Sequence, residues 1–463
     1  MPAHKNPKSH CWLPSRAKQD SPFEIHIDAH SETKIYTSGS TISGFVTITA
    51  QTQIPFEDVQ INLIGTTSTC GHAFQYGTPF ITHTFMQLQM PISASTLPPS
   101  RILEVGRSYS IPFVFVVPDQ LSAAVCGHQN TAVWERHLRP PPSIGVWGYN
   151  DLTGGSARVD YTIRARLVLG KDRRGKAHYL DGNCPIKVFP IFPEQPPLHI
   201  SPDNSEYCLV KTKTIRTMMR AKMGSIRASA TQPKPIVVCL DELRASESQI
   251  PIDLEYIPVS SGGTPPIIRI KSATIETFTS FWLGPDGHLP DHHQRPSNTA
   301  APIAPWSTSH PLVLEGPQQV TWGKKQHLCS AEDSQIRALE PIRIKQDHFT
   351  QTSKCSSSSF VSQEFAPSKI ESYKASLLQS FKLPTEKLFF LPTFYSCLLS
   401  RTYRIRLTLA VAVGTYSTKF SLVLPLQVAV QRSDVASDTN LPNYTSHEEQ
   451  SELTDSLPPP YHG

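Results

Sequence analysis

Between Ala157 and Leu169 the chain reads A-R-V-D-Y-T-I-R-A-R-L-V-L. Apolar side chains fall on every second position, at Val159, Tyr161, Ile163, Ala165, Leu167 and Leu169, with Arg158, Asp160, Arg164 and Arg166 between them. Successive side chains of a strand point to opposite faces, so this alternation fits a half-buried strand and not a helix. The pattern recurs. Phe23, Ile25 and Ile27 alternate in F-E-I-H-I-D-A, Ile42, Val46 and Ile48 share one face of T-I-S-G-F-V-T-I-T, and Val59, Ile61 and Leu63 do the same in F-E-D-V-Q-I-N-L-I-G. F-I-T-H-T-F-M-Q-L-Q-M, Y-S-I-P-F-V-F-V-V-P and C-P-I-K-V-F-P-I-F-P continue the series to about Pro193. Short strands separated by Pro-, Gly- and Ser-containing breaks predict an antiparallel β-sandwich.

Composition agrees. There are 42 prolines against 23 glycines, and proline is tolerated on edge strands and in turns but not inside helices. At 463 residues the chain is long enough for more than one domain. A second β block begins near Tyr207, with Y-C-L-V-K-T-K-T-I, G-S-I-R-A-S-A, P-I-V-V-C-L-D, I-P-I-D-L-E-Y-I-P-V and I-I-R-I-K-S-A-T-I-E-T-F-T-S-F-W-L. Strands return in T-Y-R-I-R-L-T-L-A-V-A-V and T-K-F-S-L-V-L-P-L-Q-V-A-V, ending near Val430. The expected class is therefore all-β, two tandem antiparallel sandwiches of immunoglobulin-like type. The expected units are a disordered start (1–21), a first sandwich (22–195), a second sandwich (196–430) and a disordered acidic tail (431–463). Residues 284–368 are polar and proline-rich, and are expected to be a disordered insertion in the second sandwich. Two short helices are expected: D-Q-L-S-A-A-V-C-G-H, capped by Asp119 and ended by Gly127, and S-K-I-E-S-Y-K-A-S-L-L-Q-S-F at 368–381, where Ile370, Tyr373, Leu377 and Leu378 have helical spacing.

Several chemistries are expected to be absent. The nine cysteines are widely spaced with no C-x-x-C, which predicts free thiols in a reducing compartment and no zinc framework. D-G-H-L-P-D-H-H-Q-R-P holds Asp286, His288, Asp291, His292 and His293 in a loop-like segment with no flanking strand to fix a geometry, so no metal site is expected there. No phosphate-binding glycine loop and no G-x-S-x-G occurs. No enzyme activity and no cofactor are expected. The polar opening lacks the apolar core of a secretory signal, and no apolar run reaches membrane-spanning length.

The net charge of +5 is unevenly placed. From Gln431 onward six acids face one base, Arg432. Between Glu206 and Asp241 no acid occurs, and Lys211, Lys213, Arg216, Arg220, Lys222 and Arg227 make a candidate contact to an anionic membrane or phosphoinositide surface. No aromatic residues interleave with these bases as nucleic-acid binding would require, so no nucleic-acid partner is expected. The tail carries P-P-P-Y at 458–461. Pro458, Pro459 and Pro460 pre-set a polyproline II ribbon, and Tyr461 fits the tyrosine pocket of a WW domain. A looser copy, L-P-N-Y, places Leu441, Pro442 and Tyr444 upstream as a second grip.

The order of segments resembles the arrestin family, most closely the fungal α-arrestins. The resemblance rests on K-I-Y-T-S-G-S-T-I-S-G-F-V-T-I, with Tyr36, Gly39 and Gly44, on V-Q-I-N-L-I-G ending at Gly65, and on G-R-S-Y-S-I-P-F-V-F-V-V-P from Gly106 to Pro118. R-P-P-P-S-I-G, G-S-I-R-A-S-A-T-Q-P-K-P-I and F-S-L-V-L-P-L-Q-V-A-V follow in family order. It implies two tandem arrestin sandwiches and an adaptor that uses its PPxY motif to bring a WW-domain HECT-type ubiquitin ligase to plasma-membrane transporters or receptors. Their ubiquitination and endocytosis would follow, with the adaptor cytoplasmic and peripheral at plasma membrane or endosomes. The alternative is an arrestin-fold trafficking scaffold in a coat or sorting complex that acts without a ligase.

Overall fold

A computed structural model describes residues 22–70, 80–128, 131–171, 175–200, 204, 206–217, 219, 221–239, 244–260, 262–282, 303–316, 320–327, 370–414 and 416–431. The first half contributes β1 (Phe23–Ile27), β2 (Ile35–Tyr36), β3 (Thr41–Thr49), β4 (Ile54–Pro55), β5 (Asp58–Cys70), β6 (Phe80–Gln89), β7 (Ile102–Leu103), β8 (Ser108–Val116), β9 (Ala157–Lys171) and β10 (Ala177–Val188). Helix α1 (Thr131–His137) lies between β8 and β9. The second half contributes β11 (Val210–Arg216), β12 (Lys222–Ala230), β13 (Ile236–Cys239), β14 (Arg244–Ala245), β15 (Ser248–Pro258), β16 (Ile267–Phe281), β17 (Ile303–Pro311), β18 (Val313–Glu315), β19 (Gly323–His327), β20 (Ile370–Lys382), β21 (Phe394–Tyr395), β22 (Leu399–Val413), β23 (Tyr416–Leu426) and β24 (Val428–Gln431).

The molecule is all-β and built of sandwiches, as the alternation predicts. Sheet β1-β3-β8 faces sheet β2-β10-β9-β5-β6 across one core, and sheet β11-β12-β15-β20-β18 faces sheet β17-β16-β22-β21 across another. Among the described strands, pairings are antiparallel except for the short pairs β2–β10 and β13–β24. β9 buries Val159, Tyr161, Ile163, Ala165 and Leu167 and turns its arginines outward, where Arg166 makes a two-point contact with Asp181 at 2.8 and 3.0 Å. The Tyr161 hydroxyl donates to the Pro141 carbonyl at 2.7 Å, which satisfies the one polar atom that this strand sends inward.

Gly39, Gly44 and Gly65 serve two purposes. Gly39 has φ +77°, a left-handed turn position. Gly44 and Gly65 allow close approach instead: a Cβ on Gly44 would strike the His26 carbonyl, and one on Gly65 would strike the Phe85 ring.

Three expectations are corrected. Residues 119–128 hold a single 3-10 turn, Ala123–Val125, whose N-cap Ser122 makes no capping hydrogen bond, and the α-helix lies just beyond it, at Thr131–His137. Of the expected helix 368–381, the described residues from Ile370 onward are strand: β20 pairs with β15 from Tyr373 to Phe381, with Ala375, Gln379 and Phe381 buried on one face and Leu378 exposed on the other. Within the expected insertion 284–368, the described residues form strands. β17 extends the sheet beside β16, while β18 and β19 pair β20. Pro305 and Pro311 hid β17 from the sequence reading, yet it lies at the sheet edge, where missing N–H donors are harmless.

Candidate functional site

The expected ligase-binding residues Pro458, Pro459, Pro460 and Tyr461 and the second set Leu441, Pro442 and Tyr444 lie outside the described residues, as do Arg220 and the histidines His288, His292 and His293. The remaining expected bases sit on the β11–β12 hairpin, and strand alternation divides them. Arg227 is opposite Glu255 on the outer sheet face. It lines a shallow polar groove in which Lys374 pairs Glu255 at 3.5 Å and the Ser376 hydroxyl donates to Asp253 at 2.6 Å. Its charge is therefore set among acids.

Lys211 and Lys213 share the opposite face with the buried Ile215 but reach the rim. There the Lys213 ammonium donates to the Lys419 carbonyl of β23 at 2.7 Å. The Lys419 ammonium in turn presses on Lys271 and lowers the Lys271 pKa, by hydrogen-bond competition and by repulsion. Bases from both sheets converge at this edge, a grouping that sequence separation concealed. At the hairpin tip, Arg216 and Lys222 are register partners, and Met219 between them is 94% exposed. The Met219 side chain thus stands exposed beside two bases.

The junction between the sandwiches holds the second concentration of unusual side chains. Its centre is the loop Asn150–Ser156. Asn150 forms a backbone bridge to Leu388, and its carbonyl accepts from the Phe389 amide at 2.9 Å. Leu152 is buried in the second core although it lies before β9 of the first sandwich, and it adopts φ +63°. Arg401 of β22 is fully buried. It donates to the Asp151 carbonyl at 2.9 Å and to the Thr153 hydroxyl at 2.7 Å. Beneath it the Tyr403 hydroxyl donates to the Leu391 carbonyl at 2.7 Å, and burial pushes its pKa up to about 12. Trp147 stacks on Phe389 at 4.4 Å, and Thr69 donates to the Trp282 carbonyl at 2.8 Å. Apolar, polar and backbone contacts all cross the same seam.

Beside this loop, four potential metal ligands meet. Cys126 follows the 3-10 turn, His128 is two residues on, His137 ends α1, and Cys397 lies in the tight β21–β22 turn closed by Ser396 N–H to Leu399 O at 2.8 Å. α1 is docked on that hairpin: Val133 packs on Tyr395, and the Arg136 guanidinium lies 5.1 Å from the Tyr395 ring centre. Cys126 Sγ is 2.8 Å from His128 Nδ1 and 3.6 Å from His137 Nδ1, and Cys397 Sγ is also 3.6 Å from His137 Nδ1. All four donor atoms lie within 4.8 Å of one another. Cys126, His137 and Cys397 are buried and His128 is half-buried. Burial, then the neighbouring His128, lowers the His137 pKa to about 4, and burial, then Cys126, raises the Cys397 pKa to about 12.

No family model matches the chain, and no curated protein matches it.

Proposed function

We propose that this chain is an α-arrestin-like adaptor that links a WW-domain HECT-type ubiquitin ligase to plasma-membrane transporters or receptors. The observation that carries the reading is P-P-P-Y at 458–461, set in an acidic stretch that follows a body of two β-sandwiches. The proline ribbon loses little entropy on docking and the tyrosine supplies the pocket contact. The body adds cargo recognition, and the lysine edge with the Met219 tip adds affinity for an anionic bilayer. In this reading the protein performs no chemistry. Tethering ligase and cargo raises their effective concentration, and the ligase does the rest.

The test is binding of the full chain to an array of WW domains. Tyr461→Ala is expected to weaken capture at least about tenfold, with Tyr444→Ala deepening the loss through reduced avidity. Equal capture of Tyr461→Ala and wild type rejects the reading. Removing residues 431–463 separates it from a ligase-independent scaffold, since an adaptor then loses cargo ubiquitination and a scaffold does not.

A further inference from the structure

We propose that Cys126, His128, His137 and Cys397 bind one zinc ion, which pins helix α1 of the first sandwich to the β21–β22 turn of the second. The case rests on the donor set, the spacing and the burial. Two sulfurs and two imidazole nitrogens form a common structural zinc set, with Zn–S about 2.3 Å and Zn–N about 2.0–2.1 Å. A tetrahedron with those bond lengths has edges of roughly 3.4–3.8 Å. The two separations to His137 Nδ1 are both 3.6 Å. The 2.8 Å pair, Cys126 with His128, sits on a loop and needs to open by ~0.7 Å to reach the same edge.

Charge balance favours the ion. When zinc binds, each thiol S–H gives its proton to solvent and its sulfur pair to the metal. Two thiolates and one dication leave the centre neutral, so a buried site needs no counter-charge. The His128 and His137 rings are 5.1 Å apart at 86°, which lets both nitrogens face a shared point without ring overlap. Four protein ligands close the coordination sphere, so the ion is structural and not catalytic. No other described group of this kind mixes two chain halves: Cys397 and His137 are 260 residues apart.

The test uses the full-length protein. Purified from zinc-supplied cells, it is expected to carry ~1 zinc per chain by mass spectrometry of metals. Cobalt(II) in its place should give thiolate-to-cobalt charge transfer and the intense visible bands of four-coordinate cobalt. Cys126→Ser and Cys397→Ser, each checked by circular dichroism, are expected to lose the zinc, while Cys239→Ser and the pair His292→Asn, His293→Asn keep it. The wild-type cobalt spectrum decides the ligand type even if a cysteine variant fails to fold. Metal-free protein overturns the proposal, as does a cobalt spectrum without thiolate charge transfer or zinc retained in both cysteine variants. An intact mass ~2 Da light from a Cys126–Cys397 disulfide also overturns it.

Discussion

Single residues at the junction show how local strain and long-range packing are balanced. Leu152 holds φ +63°, which a branched side chain adopts at a cost of about 1–2 kcal/mol. It stays there because its side chain is buried in the second core, worth about 1.5–3 kcal/mol for a leucine. Two residues on, Gly154 has φ +75°, and a Cβ there would enter the Trp306 indole. Gly154→Ala is therefore expected to destabilise the protein by ~1–3 kcal/mol, through backbone strain and displacement of Trp306. A lower urea midpoint with an unchanged slope would show it; an unchanged midpoint would mean that the loop re-folds freely around the methyl group. The role of this loop is not legible from its residues, because L-T-G-G-S reads as an ordinary turn. Arg401 was equally hidden: it stands just ahead of the alternating run T-Y-R-I-R-L and on the inward parity of Tyr403, Ile405 and Leu407, a core position where a charged side chain is not expected. It is buried because the Asp151 carbonyl and the Thr153 hydroxyl, both remote in sequence, accept its hydrogen bonds.

At the scale of elements, long strands were legible and short or polar-cored ones were not. β9 alternates from Ala157 to Leu167 and burial follows the pattern residue by residue there; beyond it the register with β10 shifts, so Leu169 is only half-buried and Gly170 is buried instead. β20 misled because Gln379 occupies a core position. Its amide nitrogen donates to the Glu315 and Ser380 carbonyls at 2.8 Å each, which anchors a polar side chain in the core and breaks the apolar rhythm. α1 was missed for a different reason. Seven residues give one apolar repeat, Val133 to His137, and the second member is a histidine. The zinc candidate could not be seen at all, as the fourth ligand comes from a hairpin in the other half of the chain. The β11–β12 hairpin makes a prediction of its own. Each base held near an anionic leaflet contributes about 1 kcal/mol, or roughly fivefold in partitioning. Lys211→Gln with Lys213→Gln is thus expected to lower cosedimentation with phosphatidylserine vesicles by about 20- to 30-fold. Met219→Asp should lower it further, whereas Arg227→Gln, among Asp253 and Glu255, should leave it unchanged. Equal losses from Arg227→Gln and the lysine pair would show that net charge, and not this edge, governs the contact.

Over the whole molecule the sequence divides the chain more sharply than the packing does. Two sandwiches with a boundary near residue 195 follow from the strand series, but the first core does not close with first-half residues alone. Phe281, Phe389, Leu391, Phe394, Leu399 and Val430, all from the second half, are buried in it. β24 leaves the long β22–β23 hairpin to pair with β13, and Val430 bridges to Phe192. At about 1.5–3 kcal/mol for each large apolar side chain, these insertions together contribute on the order of 10 kcal/mol, comparable with the net stability of an entire domain. The two halves should therefore unfold together. Residues 22–431 are expected to give one thermal transition. Residues 22–195 expressed alone should bind an apolar dye and melt at a lower temperature over a broader range, because the seam they expose has no other cover. Dye-free protein with the midpoint of the longer piece would show that the first sandwich is complete by itself. For an adaptor the joint body has a mechanical consequence. Under the adaptor reading proposed above, a cargo bound by one sandwich and a bilayer touched by the other would be held in a fixed relation by the joint core, without swinging of one sandwich against the other.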